Sequence, residues 1–268
     1  MLSAIDVSKA TSDYDHFVVV PDLQWPFEHK RSEAAVMGYV ADVKPDKVFL
    51  VGDAIDFTSL GSYLKKVPPS KRLYLSGEIK YARKKLAQWT AVSRGAELYY
   101  LEGNHEYRFA RKLETDAPEL YDLVADPCKP LTLRNLLLLD EMGWKYIEPY
   151  GAGMWIGRPG GLWITHGQYC GENAITQMLK LVKCSFIQGH DHRLASKAQT
   201  SSLTGKTIAG YTAGTLCDSA TTPRATAHVN WQHGFIHGWV HRKRKTFHVD
   251  LVSINDGRFV VGGKEYRG

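Results

Sequence analysis

Short apolar runs at 16–20, 47–51, 98–101, 162–165 and 184–187 each hand over, within a few residues, to side chains that bind metal ions. Behind them stand Asp22 and Gln24, then Asp53 and Asp56, then Asn104 and His105, then His166, and last His190 and His192. Apolar runs this short suit buried strands. A strand that breaks at a turn and presents polar side chains is how an α/β scaffold places chemistry at a sheet edge. One such segment says little. The same grammar repeated along the chain restricts the fold to neighbouring strands whose ends converge.

Between these runs the pattern changes to helical spacing. Val36, Met37, Val40 and Val43 lie on one face, and Pro45 ends that helix. A second helix is expected over 78–94, with Ile79, Ala82, Leu86, Trp89 and Val92 on one side and Gly95 as its stop. After 103–106 a helical stretch broken by Pro118, Pro127 and Pro130 runs to about residue 139. A further helix is expected over 172–182. The remainder reads as strands at 207–211, 235–240, 246–254 and 259–261, with a turn at Asn255-Asp256-Gly257. Without a repeat or a linker, the expected organisation is one domain over 1–268. Segments 57–77 and 107–140 are candidate caps or inserts, the second placed where a lid or a cover for one sheet face would be.

A length of 268 residues with 44% hydrophobic content allows a sizeable core. A net charge of +6 permits an anionic partner such as nucleic acid or a phosphorylated substrate. Cys128, Cys170, Cys184 and Cys217 form no C-x-x-C pair and read as reduced thiols. Residues 1–15 are a polar lead-in without the pattern of a signal peptide. No apolar run approaches the ~18 residues of a membrane span. A cytoplasmic protein without a membrane partner is therefore expected.

Carboxylate, imidazole and amide oxygen together are the donors of Zn²⁺, Mn²⁺ or Fe sites. There are more of them here than one tetrahedral site uses. That number suits two metals about 4 Å apart, bridged by one carboxylate. Such a pair acidifies a shared water and neutralises phosphoryl oxygens, so phosphoester hydrolysis is the natural reaction.

The ordered set Asp22-Leu23-Gln24, Gly52-Asp53-Ala54-Ile55-Asp56, Gly103-Asn104-His105-Glu106, His166-Gly167 and Gly189-His190-Asp191-His192 resembles the calcineurin-like metallophosphoesterase superfamily, of bacterial or phage type, over residues 16–215. The resemblance implies an α/β fold of the αββα kind, a β-sandwich of two mixed sheets flanked by helices, with two divalent ions at the strand ends. Mn²⁺ ranks first, and Zn²⁺, Fe, Ni²⁺ or Mg²⁺ are alternatives. It also implies roles. Asp53 would bridge both metals, Asp22 and His192 would bind the first, and Asn104, His166 and His190 the second. His105 would protonate the leaving oxygen, with Asp56 and Glu106 as carboxylates that orient histidines. Arg108 is a candidate substrate contact. Gln24 departs from the pattern, since the family has histidine there. An amide oxygen is a weaker donor, which suits a harder ion or an added water.

Three activities follow from the resemblance. A phosphodiesterase, with nucleases among its forms, is favoured by the basic residues at 65–72 and 108–112. A phosphomonoesterase acting on a nucleotide or small phosphorylated substrate is the alternative. A binding scaffold that has lost catalysis is the third, although both Gly103-Asn104-His105-Glu106 and Gly189-His190-Asp191-His192 are intact. The protein Ser/Thr phosphatase branch fits poorly, because Phe57-Thr58-Ser59 and Glu102 stand where that branch carries phosphate-clamping arginines. The other histidines, His16, His29, His228, His233, His237, His241 and His248, read as ordinary surface or core residues. The basic run 241–245 reads as a solvated hairpin turn. Oligomeric state is not legible.

Overall fold

Strands that are apolar on both faces belong in the middle of a layered structure. In β1 (Tyr14–Val20), Phe17 and Val19 point one way and Val18 and Val20 the other, and all four are buried. The computed structural model describes residues 13–61, 73–120, 131–222 and 229–268. In it β1 is followed by α1 (Lys30–Val43), β2 (Lys47–Leu50), α2 (Leu75–Val92) and β3 (Glu97–Leu101). Next come α3 (Asn104–Asp116) and β4 (Trp144–Ile147). β1, β2, β3 and β4 lie side by side and parallel. One side of this sheet, carrying Val18, Val48 and Leu50, packs on Val36, Tyr39 and Val40 of α1 and Leu86 and Trp89 of α2.

A second sheet covers the other side. Its strands are β5 (Gly153–Ile156), β6 (Leu162–Thr165), β7 (Ser185–Gln188), β8 (Leu194–Thr200) and β9 (Thr207–Ala213), in the order β5-β6-β7-β9-β8. Its inner strands are parallel and its edges antiparallel. Phe17, Val19, Phe49 and Leu101 of the first sheet meet Leu162, Ile164 and Ile187 of the second. Helix α4 (Ala174–Val182) closes the far face, with Ile175, Met178 and Leu179 on Phe186. β10 (Gly234–His241) and β11 (Phe247–Ser253) return to the first sheet and make its order β11-β10-β1-β2-β3-β4. The hairpin of β12 (Arg258–Val261) and β13 (Lys264–Arg267) packs on α1. The fold is therefore mixed α/β, two mixed sheets face to face with helices outside. No described helix is long and apolar enough to cross a membrane.

The elements differ from expectation where burial is weakest. β8 (LASKAQT) and β13 (KEYR) carry polar, mostly exposed residues, so no apolar alternation announces them. The stretch expected to be helical to 139 divides into α3, a turn at Pro118–Leu120 and one helical turn at Leu133–Leu136. Residues 62–72, 121–130 and 223–228 lie outside the described residues. They include Lys65, Lys66, Pro68, Pro69, Lys71, Arg72, Pro127, Cys128, Lys129, Pro130 and His228 from the sequence reading.

His16 on β1 and His237 on β10 face each other with ring centroids 5.7 Å apart, and Trp239 stacks on His16 at 4.9 Å. Burial, reinforced by His237, holds the His16 imidazole down to about 4. The unfolded chain takes up that proton near pH 6.5 and the folded chain does not. Stability is therefore present above about pH 6.5 and is lost as pH falls towards 4. The expected loss is about 1–2 kcal/mol, allowing for the partial exposure of the ring. Chemical denaturation across this range should show His16→Phe with a flatter acid limb, and an unchanged limb would contradict the assignment.

Candidate metal centre

The loops after the strands hold an unusual backbone. Asp22, Gln24, Asp53, His190 and His192 have φ values of 33°, 50°, 49°, 66° and 59°. Left-handed conformations of this kind cost side-chain-bearing residues about 1–3 kcal/mol each and cluster at functional sites. Cross-ties hold them there. Gln24 N–H donates to Asp53 O at 2.9 Å, Trp25 N–H to Ala54 O at 2.8 Å, and Asp56 N–H to Trp25 O at 3.0 Å. Close approach explains two glycines. A Cβ on Gly103 would stand 2.2 Å from Asp53 N, and one on Gly189 would stand 2.5 Å from Asp22 Oδ2.

Asn104 and His105 open α3, so they sit on a helix N-terminus and not in a free loop. The His105 N–H donates to Asp53 Oδ1 at 2.8 Å. The positive end of the helix is thus aimed at a buried carboxylate. Glu106, in the same first turn, is fully buried. Its carboxylate accepts from the backbone N–H of Gly103, Asp53 and Ile55 and from the Tyr100 hydroxyl. The expectation that Glu106 orients a histidine is corrected by these contacts. It clamps two backbone loops together, because α3 begins at Asn104 and turns the side chain under the Asp53 loop.

Ligand atoms of Asp53, His166 and His190 lie within 4.8 Å of one another, a cluster that could hold a metal ion. His166 Nδ1 stands 2.6 Å from Val51 O, which only accepts, so Nδ1 carries the proton. Nε2 then faces Asn104 Oδ1 at 3.0 Å and Asp53 Oδ1 at 3.4 Å. A proton on Nε2 or a cation between these groups would satisfy the converging acceptors. Burial works to lower the His166 imidazole, but the Asp53 carboxylate outweighs it and lifts it to about 9. Burial opposes ionisation of Asp53 too, yet His105 and His166 hold its carboxyl well below the usual range.

The second group of donors adjoins the first. His192 Nε2 lies 3.4 Å from Asp22 Oδ1 and 3.3 Å from Gln24 Nε2. Its Nδ1 faces Cys217 Sγ at 4.0 Å. Asp22 also accepts from the His190 N–H at 3.0 Å. Gln24 Oε1 is buried with no hydrogen-bond partner among the described residues. Buried polar atoms are nearly always partnered, so an orphaned amide oxygen beside Asp22 and His192 fits a cation ligand. Imidazole is the stronger donor, and Gln24→His is expected to bind metal more tightly at this position. Equal affinities in a metal titration of the two proteins would place Gln24 outside the coordination sphere.

His105 Nδ1 is 2.9 Å from Asp56 O and 3.1 Å from Asp56 Oδ1. The carbonyl fixes the proton on Nδ1 and leaves Nε2 directed to the cavity, 3.6 Å from Asp53 Oδ2. Arg108, a candidate substrate contact in the sequence, donates to the same Asp56 carbonyl at 2.8 Å. It is not among the residues lining the cavity. That cavity has a volume of about 150 Å³ and is lined by Gln24, Asp53, Asn104, His105, His190 and His192, with Thr222 and Trp231. Thr222 and Trp231 were missed by sequence reasoning, since neither follows an apolar run. Cys170 was also missed. Its Sγ stands 3.7 Å from His190 Nε2.

No protein-family model matches the chain. Among solved structures, vacuolar protein sorting 29 from Cryptosporidium parvum aligns with 95% of this chain and 96% of its own, at 16% identity and a TM-score of 0.43. A likeness that slight carries no argument. Sequence similarity is firmer. Gene 54 protein of Mycobacterium phage L5 is 28% identical over 257 residues, spanning 92% of this chain and 96% of that protein. Gene 54 protein of Mycobacterium phage D29 is 31% identical over 255 residues, with the same coverage. Similarity at this level along nearly the whole of both chains places the protein in the Gene 54 protein family of mycobacteriophages.

Proposed function

We propose that the protein is a metal-dependent phosphoester hydrolase with a dinuclear centre, and that its substrates are phosphodiesters, nucleic acid among them. The observation that supports this best is the arrangement of Gln24, Asp53, Asn104, His190 and His192 around one cavity, with His166 against Asp53 at 3.4 Å and Asp22 against His192 at 3.4 Å. Asp53 would be the ligand shared by both ions. Asp22, Gln24 and His192 would hold one ion, and Asn104, His166 and His190 the other. Nitrogen and oxygen donors with an amide in place of an imidazole favour Mn²⁺. Two divalent cations, when bound, neutralise phosphoryl charge and acidify water.

The chain's own groups do the rest. His105 presents Nε2 to the cavity while Asp56 O keeps Nδ1 protonated. In the imidazolium form, Nε2–H donates a proton to the departing oxygen, and the Asp56 carboxylate at 3.1 Å stabilises the charge. Arg108 serves by fixing the Asp56 carbonyl. The N-terminus of α3 adds favourable potential for an anionic substrate.

The test is Mn²⁺-dependent hydrolysis of bis-p-nitrophenyl phosphate against p-nitrophenyl phosphate. Faster turnover of the diester is the expected result. Faster turnover of the monoester would move the assignment to a phosphomonoesterase. Full metal loading with no turnover of either would leave the binding-scaffold reading.

A further inference from the structure

The metal cavity does not end at its ligands. Trp231 is half-buried and forms part of its wall, and the same indole also lines a neighbouring cleft of about 330 Å³. That cleft is polar at its edges, where Ser253, Asn255 and Asp256 offer hydroxyl, amide and carboxylate groups. Its size falls in the range of small-molecule sites, about 300–1,000 Å³, whereas the metal cavity has room for little more than a phosphoryl group. The indole is also fixed in register with the metal ligands. Its ring meets His192 edge to face with centroids 4.3 Å apart. The next residue, Gln232, donates its N–H to His192 O at 2.9 Å and accepts from Thr215 N–H at 3.0 Å.

We propose that Trp231 is a stacking platform for the heterocyclic base of a nucleotide substrate whose phosphate lies at the metal centre, the base occupying the adjoining polar cleft. This rests on the phosphoester reading above and names the class of group attached to the phosphate. A flat aromatic surface beside polar edges is how bases are held without strict sequence preference. A net charge of +6 suits a polyanionic partner.

The test compares the affinities of a nucleoside 5′-monophosphate and of ribose 5-phosphate, measured by calorimetry with Mn²⁺ present. The wild type should prefer the nucleotide by about tenfold, the scale of one base–aromatic stack. Trp231→Phe should keep most of that preference, and in Trp231→Leu the two dissociation constants should converge. Equal affinities in the wild type, or a preference that survives Trp231→Leu, would overturn the platform and leave the phosphoester reading standing. Binding of Mn²⁺ with no binding of either phosphate compound would overturn both.

Discussion

Glu106→Ala is expected to destabilise the protein by about 3–5 kcal/mol, because it leaves buried hydrogen-bond donors without an acceptor. Those donors are the N–H groups of Gly103, Asp53 and Ile55 and the Tyr100 hydroxyl, all now held by one carboxylate. For a chain of this size the loss corresponds to a fall in Tm of roughly 5–10 °C. Glu106→Gln keeps the shape and can turn its NH₂ to the Tyr100 hydroxyl, which rotates to accept, leaving the Ile55 N–H without an acceptor, so it should lose about half as much. Thermal and denaturant melts of the metal-free proteins measure both. A loss below about 1 kcal/mol for the alanine variant would mean that the Asp53 loop holds its left-handed conformation without the clamp.

His105→Ala is expected to lower turnover of a diester with a poor leaving group by about 10²- to 10⁴-fold, the range of a positioned general acid. The substitution should hardly affect bis-p-nitrophenyl phosphate, whose nitrophenolate departs without a proton, and should leave metal content unchanged. The split between the two substrates carries the assignment. A merely structural role for His105 would lower both rates alike, and an equal loss would remove it from proton transfer. Asp56→Ala should show the same split more weakly, because the Asp56 carbonyl remains to direct Nδ1 while the carboxylate that steadies the charged ring is gone.

The legible part of this chain was its buried part. β1, β2, β3, β6 and β7 are apolar on both faces and announce themselves, and of their polar successors Gln24, Asp53, Asn104, His105, His190 and His192 line one cavity. β8 and β13 stayed hidden because edge strands with solvated side chains have no pattern to betray them. Spacing placed Glu106 next to a histidine but could not say which way it faced. Only the start of α3 at Asn104 turns it under the backbone of the Asp53 loop. Trp231 lay beyond reach for another reason. It comes to the site through a backbone hydrogen bond from the residue after it to His192, some forty positions earlier, and no local signal encodes that tether.

The most direct test of the central claim is a Mn²⁺ titration of the purified protein followed by electron paramagnetic resonance. The account predicts two ions per chain, with spectra showing magnetic coupling between neighbours that share a ligand, and loss of that coupling in Asp53→Ala. A single ion, two uncoupled ions, or a coupled pair that survives Asp53→Ala would contradict a dinuclear centre bridged by Asp53.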